Sequence, residues 1–397
     1  MKTKVVNEAG GGRSLRVEQV VGMFDLDVQK ARRVEVSAEL PAAAGDWRIG
    51  LIVGPSGSGK SSVARAAVKA GGAWDGLADL YEPGVRWPAG AAMVDGMPAG
   101  VGMKEIAGML TAVGLSSPPA WVRPYEVLSG GEKFRADLAR AVLSAEPGSV
   151  VVFDEFTSVV DRTVAKVGSA AVAKAVRRMN GPKLVAVTCH YDVAEWLQPD
   201  WVVDMGAGGK CVFAGADPAR GSLRRPEIFG RLYRCRPGTG VGRRLWQTFG
   251  KHHYLDSSLH PAAQCYVGVV EKMGDVVVDE PVCLVAVLSM TGRAGRDRIS
   301  RVVVLPDWQG IGVGGAVLRA VAADRVGMGR RVSLVTRHPG MLAGLKRAGS
   351  GWKCVGALRN GHRAGRSKKV DGRIIGSEAL SRGRPVVSFE YVGGGPR

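Results

Sequence analysis

"WRIGLIV" (47–53) runs directly into "GPSGSGKSS" (54–62), and a helical stretch, "VARAAVKA", follows. An apolar strand, a glycine-rich turn and a helix form a phosphate cradle: glycines let backbone N–H groups converge, and the helix N-terminus favours negative charge. The stretch fits G-x-x-x-x-G-K-[ST] in full. Lys60 is therefore expected on the β/γ-phosphates of a nucleotide and the Ser61 hydroxyl on Mg²⁺. Gly54, Pro55, Ser56, Gly57, Ser58, Gly59, Lys60, Ser61 and Ser62 are the candidate nucleotide-binding residues. "VVVFDEF" (150–156) adds a buried strand ending in two acids. Asp154 is placed to hold Mg²⁺. Glu155 is placed to polarise an attacking water.

Outward from this core, short Val-rich runs ("RIGLIVG", "VVVFDE", "KLVAVT", "WVVDM") alternate with helical segments, which predicts an α/β fold with a parallel sheet. A second alternation runs from 246 to the end. Three strands ("CYVGVVE", "EPVCLVAVLSM", "RISRVVVLP") precede a helix over 312–328, then "RVSLVT", a short helix, "WKCVGAL" and "PVVSFEYV". At 397 residues the chain predicts two to three domains. The expected division is 1–218, an Arg-rich linker at 219–248 broken by Pro226 and Pro237, and 249–397.

The net charge is +19. A chain this basic is expected to meet a polyanion such as nucleic acid, through the basic stretches 220–244 and 359–384. The first stretch reads equally well as a solvated connector. The six Cys are scattered with no C-x-x-C pair, which argues against a zinc site or a disulfide framework and fits a cytoplasmic protein. "MKTKVVNEAGGGRS" (1–14) has no long apolar run, so no signal peptide is expected, and no apolar stretch is long enough to predict a membrane span.

"LSGGE" (128–132) resembles the signature of ABC ATPases. It precedes "DEF" in the family's order, "TSVVD" (157–161) resembles the D-loop with Asp161, and "KLVAVT" leads to His190, which resembles the switch histidine. The resemblance covers about 47–204. It implies that Ser129, Gly130 and Gly131 face the ATP of a second subunit, hence an ATP-dependent head-to-tail homodimer. "LSGGE" also fits an N-cap for the helix after it. No Gln occurs between 61 and 128 to serve as the family's Q-loop glutamine, and Asp95 is the stand-in. Phe24 and Trp47 are the aromatic candidates for stacking on adenine. The short distance from Lys60 to Leu128 fits a soluble ABC protein better than a transporter subunit.

"VVVLPDWQGIGVGGAVL" (302–318) contains Q-x-x-G-x-G and resembles motif A of the GNAT acetyltransferases. The resemblance covers about 249–357 and implies that Gln309, Gly310, Ile311, Gly312, Val313 and Gly314 bind the pyrophosphate of acetyl-CoA or another acyl-CoA. No Tyr lies in 340–348, where many members carry a general acid. His252, His253 and Tyr254, within "FGKHHYLDSSLH" (249–260), are the alternative proton-transfer residues, or a structural cluster at the domain entry. Arg301 and Asp307 are expected to position acceptor or cofactor, and His338 to do so or to cap the next helix. The composite, with "HHYL" followed by "RVVVLPDWQGIG", resembles ABC-type ATPases fused to a predicted acetyltransferase domain. The second half also resembles Mom-type DNA-modifying enzymes. The expected fold is thus a P-loop ABC ATPase domain followed by a GNAT-like mixed α/β domain, with acyl transfer to nucleic acid under ATP control. The alternatives are Mom-like base modification, an ATP-gated protein or small-molecule acetyltransferase, and a non-catalytic DNA-binding ABC ATPase.

Overall fold

The computed structural model describes residues 2–8, 14–24, 33–85, 87–213, 228–235, 240–253, 259–273, 276–358, 368–370, 373–375 and 386–393. Tyr254, Arg220, Arg224, Arg225, Arg236 and most of the 359–384 stretch lie outside them. The chain divides into two compact units, Met1–Gly102 with Ala120–Arg225, and Met103–Pro119 with Pro226–Arg397. The chain is a mixed α/β protein in both.

The first unit holds β1 (Lys2–Glu8), β2 (Arg33–Glu39), β3 (Ile49–Val53), β4 (Ala78–Tyr81), β5 (Val150–Phe153), β6 (Lys183–Thr188), β7 (Trp201–Asp204) and β8 (Cys211–Phe213). Among the described residues, six of these form one sheet in the order β4-β5-β6-β3-β7-β8. The neighbouring strands from β4 to β7 run parallel, and β8 closes the edge antiparallel. β1 and β2 form a separate antiparallel pair. The central strands carry Val, Ile and Leu on both faces because both faces are covered; every residue of β3 and β5 is buried. Gly50 is required in β3, since a Cβ there would stand 2.0 Å from the Trp201 ring. Trp201 packs edge-on against Trp47, with Trp74 completing the cluster. Trp47 is only 3% exposed, with its indole Nε1 donating to Ala42 O, so it is a core residue and not a platform for adenine. Phe24 lies exposed on the helix Leu15–Phe24.

The second unit holds β9 (Ile228–Cys235), β10 (Gln264–Met273), β11 (Val276–Ser289), β12 (Arg296–Val304), β13 (Arg331–Thr336), β14 (Trp352–Leu358), β15 (Lys368–Val370), β16 (Arg373–Ile375) and β17 (Val386–Tyr391). Among the described residues the main sheet is seven-stranded, in the order β14-β17-β13-β12-β11-β10-β9, and β15–β16 form a short hairpin. β9 to β12 form an antiparallel meander, β12 and β13 run parallel, and β17 pairs antiparallel with β13 and β14. A buried ion cluster fixes the start of β12: Arg325 and Arg330 both grip Asp297, itself wholly buried, and Ser289 adds a hydrogen bond. Burial pushes the Asp297 carboxyl up, but the two guanidiniums outweigh it and hold it below the usual range.

Two boundaries differ from the sequence reading. Most of the expected linker 219–248 is structured in the second unit. Ile228–Cys235 is an edge strand paired along β10, and the helix Gly240–Gly250 sends Phe249 into a core with Cys265, Leu284 and Val303. The interspersed Arg hid the strand: Arg231, Tyr233 and Arg234 face solvent while Leu232 and Cys235 are half-buried, and Arg231 pairs with Glu271. The segment Met103–Pro119, inside the expected first domain, clusters with the second unit instead.

Candidate functional site

In the first unit, three neighbouring parallel strands deliver the site to one end of the sheet. The glycine-rich loop leaves β3, Asp154 and Glu155 leave β5, and His190 follows β6. This C-terminal end is where open α/β sheets bind ligands. Gly59 is the N-cap of the helix Lys60–Val68 in a left-handed conformation (φ 87°, ψ 13°), with no side-chain cap. Its absent Cβ matters twice, since one there would stand 2.8 Å from Val36 Cγ1. Lys60 Nζ donates to Pro55 O at 2.7 Å. Ser58 Oγ is buried with no hydrogen-bond partner among the described residues. An orphaned hydroxyl within a loop of backbone N–H groups fits a phosphate oxygen.

Ser61 Oγ donates to Asp154 Oδ1 at 2.9 Å. Two hard oxygen donors this far apart fit neighbouring positions around Mg²⁺, whose ligands at about 2.1 Å stand about 3 Å from one another. Glu155 has φ 51°, and its Oε2 accepts from Ser158 Oγ at 2.6 Å. His190 Nδ1 lies 3.3 Å from Thr157 Oγ1. Burial, with the Arg162 guanidinium nearby, lowers the imidazole below its ordinary value, so it is neutral at pH 7. Ser129 caps the helix Gly130–Ser144 through a full capping box with Glu132, and Gly130 and Gly131 form its first turn. Asp161 caps Arg162–Arg178, accepting from Val164 N at 2.9 Å.

Sequence reading overlooked Glu82. It follows β4 at the same sheet end, and Arg65 Nη2 lies 3.0 Å from Glu82 Oε1 and 3.8 Å from Asp154 Oδ2. Asp95 is instead exposed on the 3-10 turn Met93–Gly96. The available signal was an acid directly after a strand that pairs with the Asp154 strand, but that pairing is not written in the sequence.

In the second unit the parallel pair β12–β13 splits. Pairing joins only Arg296–Ile299 to Arg331–Leu334, after which β12 continues to Val304 beside β11 and β13 to Thr336 beside β17. A bulge lies beside the split: the β11 register jumps from Arg301 to Ile299, leaving Ser300 as the extra residue, its Oγ donating to Ala286 O. The helix Val313–Gly327 starts from Gly312 in a left-handed N-cap (φ 103°, ψ 6°), again without a side-chain cap. Gly314, Gly315 and Ala316 carry little bulk over that turn. Uncapped N–H groups beside split strands fit a pyrophosphate with an extended chain running into the gap. Gln309 Nε2 donates to Val304 O at 2.9 Å. His338 caps the helix Pro339–Leu345, its Nδ1 accepting from Met341 N. Arg301 donates to Ser300 O, and Asp307 is exposed on the turn Pro306–Trp308. His252 and His253 are half-buried past the helix Gly240–Gly250, with His253 tilted against Trp246.

No protein-family model matches the chain, and no curated protein matches it. Solved structures resemble parts of it. An ATP-binding cassette, solved as a dimer in a post-hydrolysis state with ADP and phosphate, is 15% identical, covers 52% of this chain and 95% of its own, and has a TM-score of 0.36. A Clostridium perfringens protein described as part of an ABC transporter complex is 15% identical, covers 46% of this chain and 80% of its own, at 0.34. An acetyltransferase from Bacillus cereus is 15% identical, covers 41% of this chain and 99% of its own, at 0.28. Among the described residues no helix is long and apolar enough to cross a membrane.

Proposed function

We propose that the chain is an ABC-type ATPase joined to an acyl-CoA-dependent N-acyltransferase. The observation that carries the reading is a repeated device. In each unit a strand leads through a glycine-rich turn to a helix whose N-cap is a left-handed glycine with no side-chain cap, Gly59 in one and Gly312 in the other. Ser61 and Asp154 would hold Mg²⁺, Lys60 the phosphates, and Glu155 the attacking water. Neutral His190, held by Thr157, would contact the terminal phosphate, and Glu82 would take the place of the Q-loop glutamine. Ser129, Gly130 and Gly131 would close over the ATP of a second copy, giving an ATP-dependent homodimer. In the second unit, residues 309–314 would hold acetyl-CoA, and His252, His253 and Tyr254 are the proton-transfer candidates.

The acceptor we favour is nucleic acid. The support is the net charge of +19 and the basic stretches 220–244 and 359–384. The test has two steps. Purified full-length protein is titrated with ATP–Mg²⁺ and with acetyl-CoA. DNA and RNA from cells expressing wild type or Glu155→Gln are then compared by mass spectrometry. Failure to bind either ligand removes that half of the reading. A new acyl mark on protein alone would move the acceptor to protein, and two ligands bound with no mark anywhere would leave a binding protein.

A further inference from the structure

The chain leaves the first unit after Gly102 and returns at Ala120, between Glu82 beside Asp154 and the Ser129 capping box. The excursion, a helix at Met103–Ala112 followed by a turn and a short return to the helix Pro118–Trp121, belongs to the second unit up to Pro119. Its helix lies against Pro339–Leu345, so closely that a Cβ on Gly340 would stand 2.0 Å from Thr111 Cγ2. The return segment is buried at Val113 and Leu115 and then presents Ser116.

Ser116 touches both sides of the β12–β13 split. Its backbone N and its Oγ both donate to Gln309 Oε1, at 3.0 Å and 2.5 Å. Its carbonyl oxygen lies 2.8 Å from His338 Nε2. His338 Nδ1 accepts from Met341 N, so the ring proton sits on Nε2 and Nε2 donates to Ser116 O. Gln309 belongs to the turn after β12 and is tied to Val304 O; His338 follows β13 and is tied through its N–H to Thr336 Oγ1. One residue of the excursion therefore clasps the two strand ends where they have stopped pairing with each other. A segment whose two ends continue into the first unit thus holds Gln309, the first residue of the 309–314 loop.

We propose that the 103–119 excursion is the coupling element of the protein: the nucleotide state of the ATP site sets, through Ser116 on Gln309, the affinity of the 309–314 loop for acyl-CoA. The inference rests on the acyl-CoA reading of that loop. Coupling requires an element with two arrangements that both sites bias. In this proposal the clasp is that element: it is a few hydrogen bonds and one close helix contact, and the chain continues from it into the first unit on either side. Ser116 acts through Gln309 and is a positioning residue.

The test uses the full-length chain, acetyl-CoA, and a non-hydrolysable ATP analogue (adenylyl imidodiphosphate) with Mg²⁺. Acetyl-CoA affinity is measured by calorimetry with and without the analogue, and analogue affinity with and without acetyl-CoA. In wild type each ligand is expected to change the affinity of the other by the same factor, about fivefold or more. A purely architectural role would not give that reciprocity. Ser116→Ala, which removes one hydroxyl, should bring both factors close to one while both ligands still bind. Gly340→Ala, which sets a methyl against Thr111, should do the same by a different route. A factor of one in wild type, or wild-type factors in both variants, overturns the inference and leaves the acyl-CoA reading standing. Absence of any acetyl-CoA binding to wild type overturns both.

Discussion

Ser61 Oγ and Asp154 Oδ1 meet at 2.9 Å although 93 residues separate them in sequence. β3 and β5 flank β6 in a parallel sheet, so the first residues beyond each strand arrive at the same end. If this pair holds Mg²⁺, it governs how much the metal adds to ATP affinity. In wild type, Mg²⁺ should tighten ATP binding measurably over EDTA. Asp154→Ala should lose that gain, a drop of about tenfold or more, equivalent to about 1.4 kcal/mol. Calorimetry in both buffers reads it directly, and an undiminished Mg²⁺ effect in the variant would remove Asp154 from the metal.

Glu155 stands in a strained backbone conformation (φ 51°) with its carboxylate fixed by Ser158. Positive φ is uncommon outside glycine and collects at functional positions. Glu155→Gln keeps shape and hydrogen bonding but removes the carboxylate proposed as the base. ATP turnover should fall about 10²- to 10⁴-fold, while ATP binding persists. Sedimentation of this variant with ATP should reveal a dimer, and a monomer at every ATP concentration would count against the shared site.

Asp137, 2% exposed on the helix Gly130–Ser144, accepts hydrogen bonds from Tyr81 Oη, Trp87 Nε1, Tyr125 Oη and the Gly84 amide. Burial and the Asp137 charge push the Tyr81 and Tyr125 hydroxyls upward, so both remain donors at every physiological pH. The hub ties the strand that precedes Glu82 to the helix that begins at Ser129. Asp137→Ala leaves several part-buried donors without their acceptor and should cost about 2 kcal/mol of stability. Urea unfolding of the two proteins measures it; a change under about 1 kcal/mol would mean that water satisfies the donors.

The parts that sequence carried best are local in origin. "GPSGSGKSS" contains its own turn glycines, lysine and hydroxyl, and the runs on β3, β5 and β6 are apolar on both faces as buried parallel strands must be. The Gly312 turn was legible for the same reason. What sequence did not carry depends on pairing at a distance. The split between β12 and β13 arises because β13 follows β17 while β12 follows β11, which no window around Ile299 encodes. Glu82 gains its place only from the β4–β5 pairing, and residues 103–119 look like any amphipathic helix and turn until Thr111 meets Gly340. Trp47 misled as a candidate for stacking on adenine, because nothing in its own neighbourhood reveals Trp74 and Trp201 packed around it.

His338 gives the clasp a pH dependence. Burial lowers its imidazole below the ordinary value, and the hydrogen bond to Ser116 O only partly opposes this. Its Nδ1 accepts from Met341 N, so a proton there would face an N–H. The ordinary value of about 6.5 applies to the unfolded chain, which therefore takes up the proton first. The stabilisation is complete above about pH 6.5 and is lost as pH falls from there toward the lower folded value. NMR titration of the His338 ring should place its pKa below 6.5. Thermal stability of wild type should fall more than that of His338→Gln between pH 7.5 and 5.5. A ring that titrates above 6.5 would contradict the buried, neutral cap.

Gly312 carries the sharpest test of the second site. Its φ of 103° lies where side chains other than glycine are strained, and it starts the helix Val313–Gly327 without a side-chain cap. Gly312→Trp adds that strain and places a large ring over the N–H groups that would receive a pyrophosphate. Acetyl-CoA binding should fall by about 100-fold or more, equivalent to about 2.7 kcal/mol. ATP affinity measured without acetyl-CoA should stay within about twofold of wild type, because Lys60, Ser61 and Asp154 belong to the other unit. That second measurement reports that the first unit has folded, and a circular-dichroism melt of the variant reports on the second. Acetyl-CoA bound at wild-type affinity by a variant whose ATP site is intact would take the acyl group away from this helix and leave Gly312 as a turn that binds nothing.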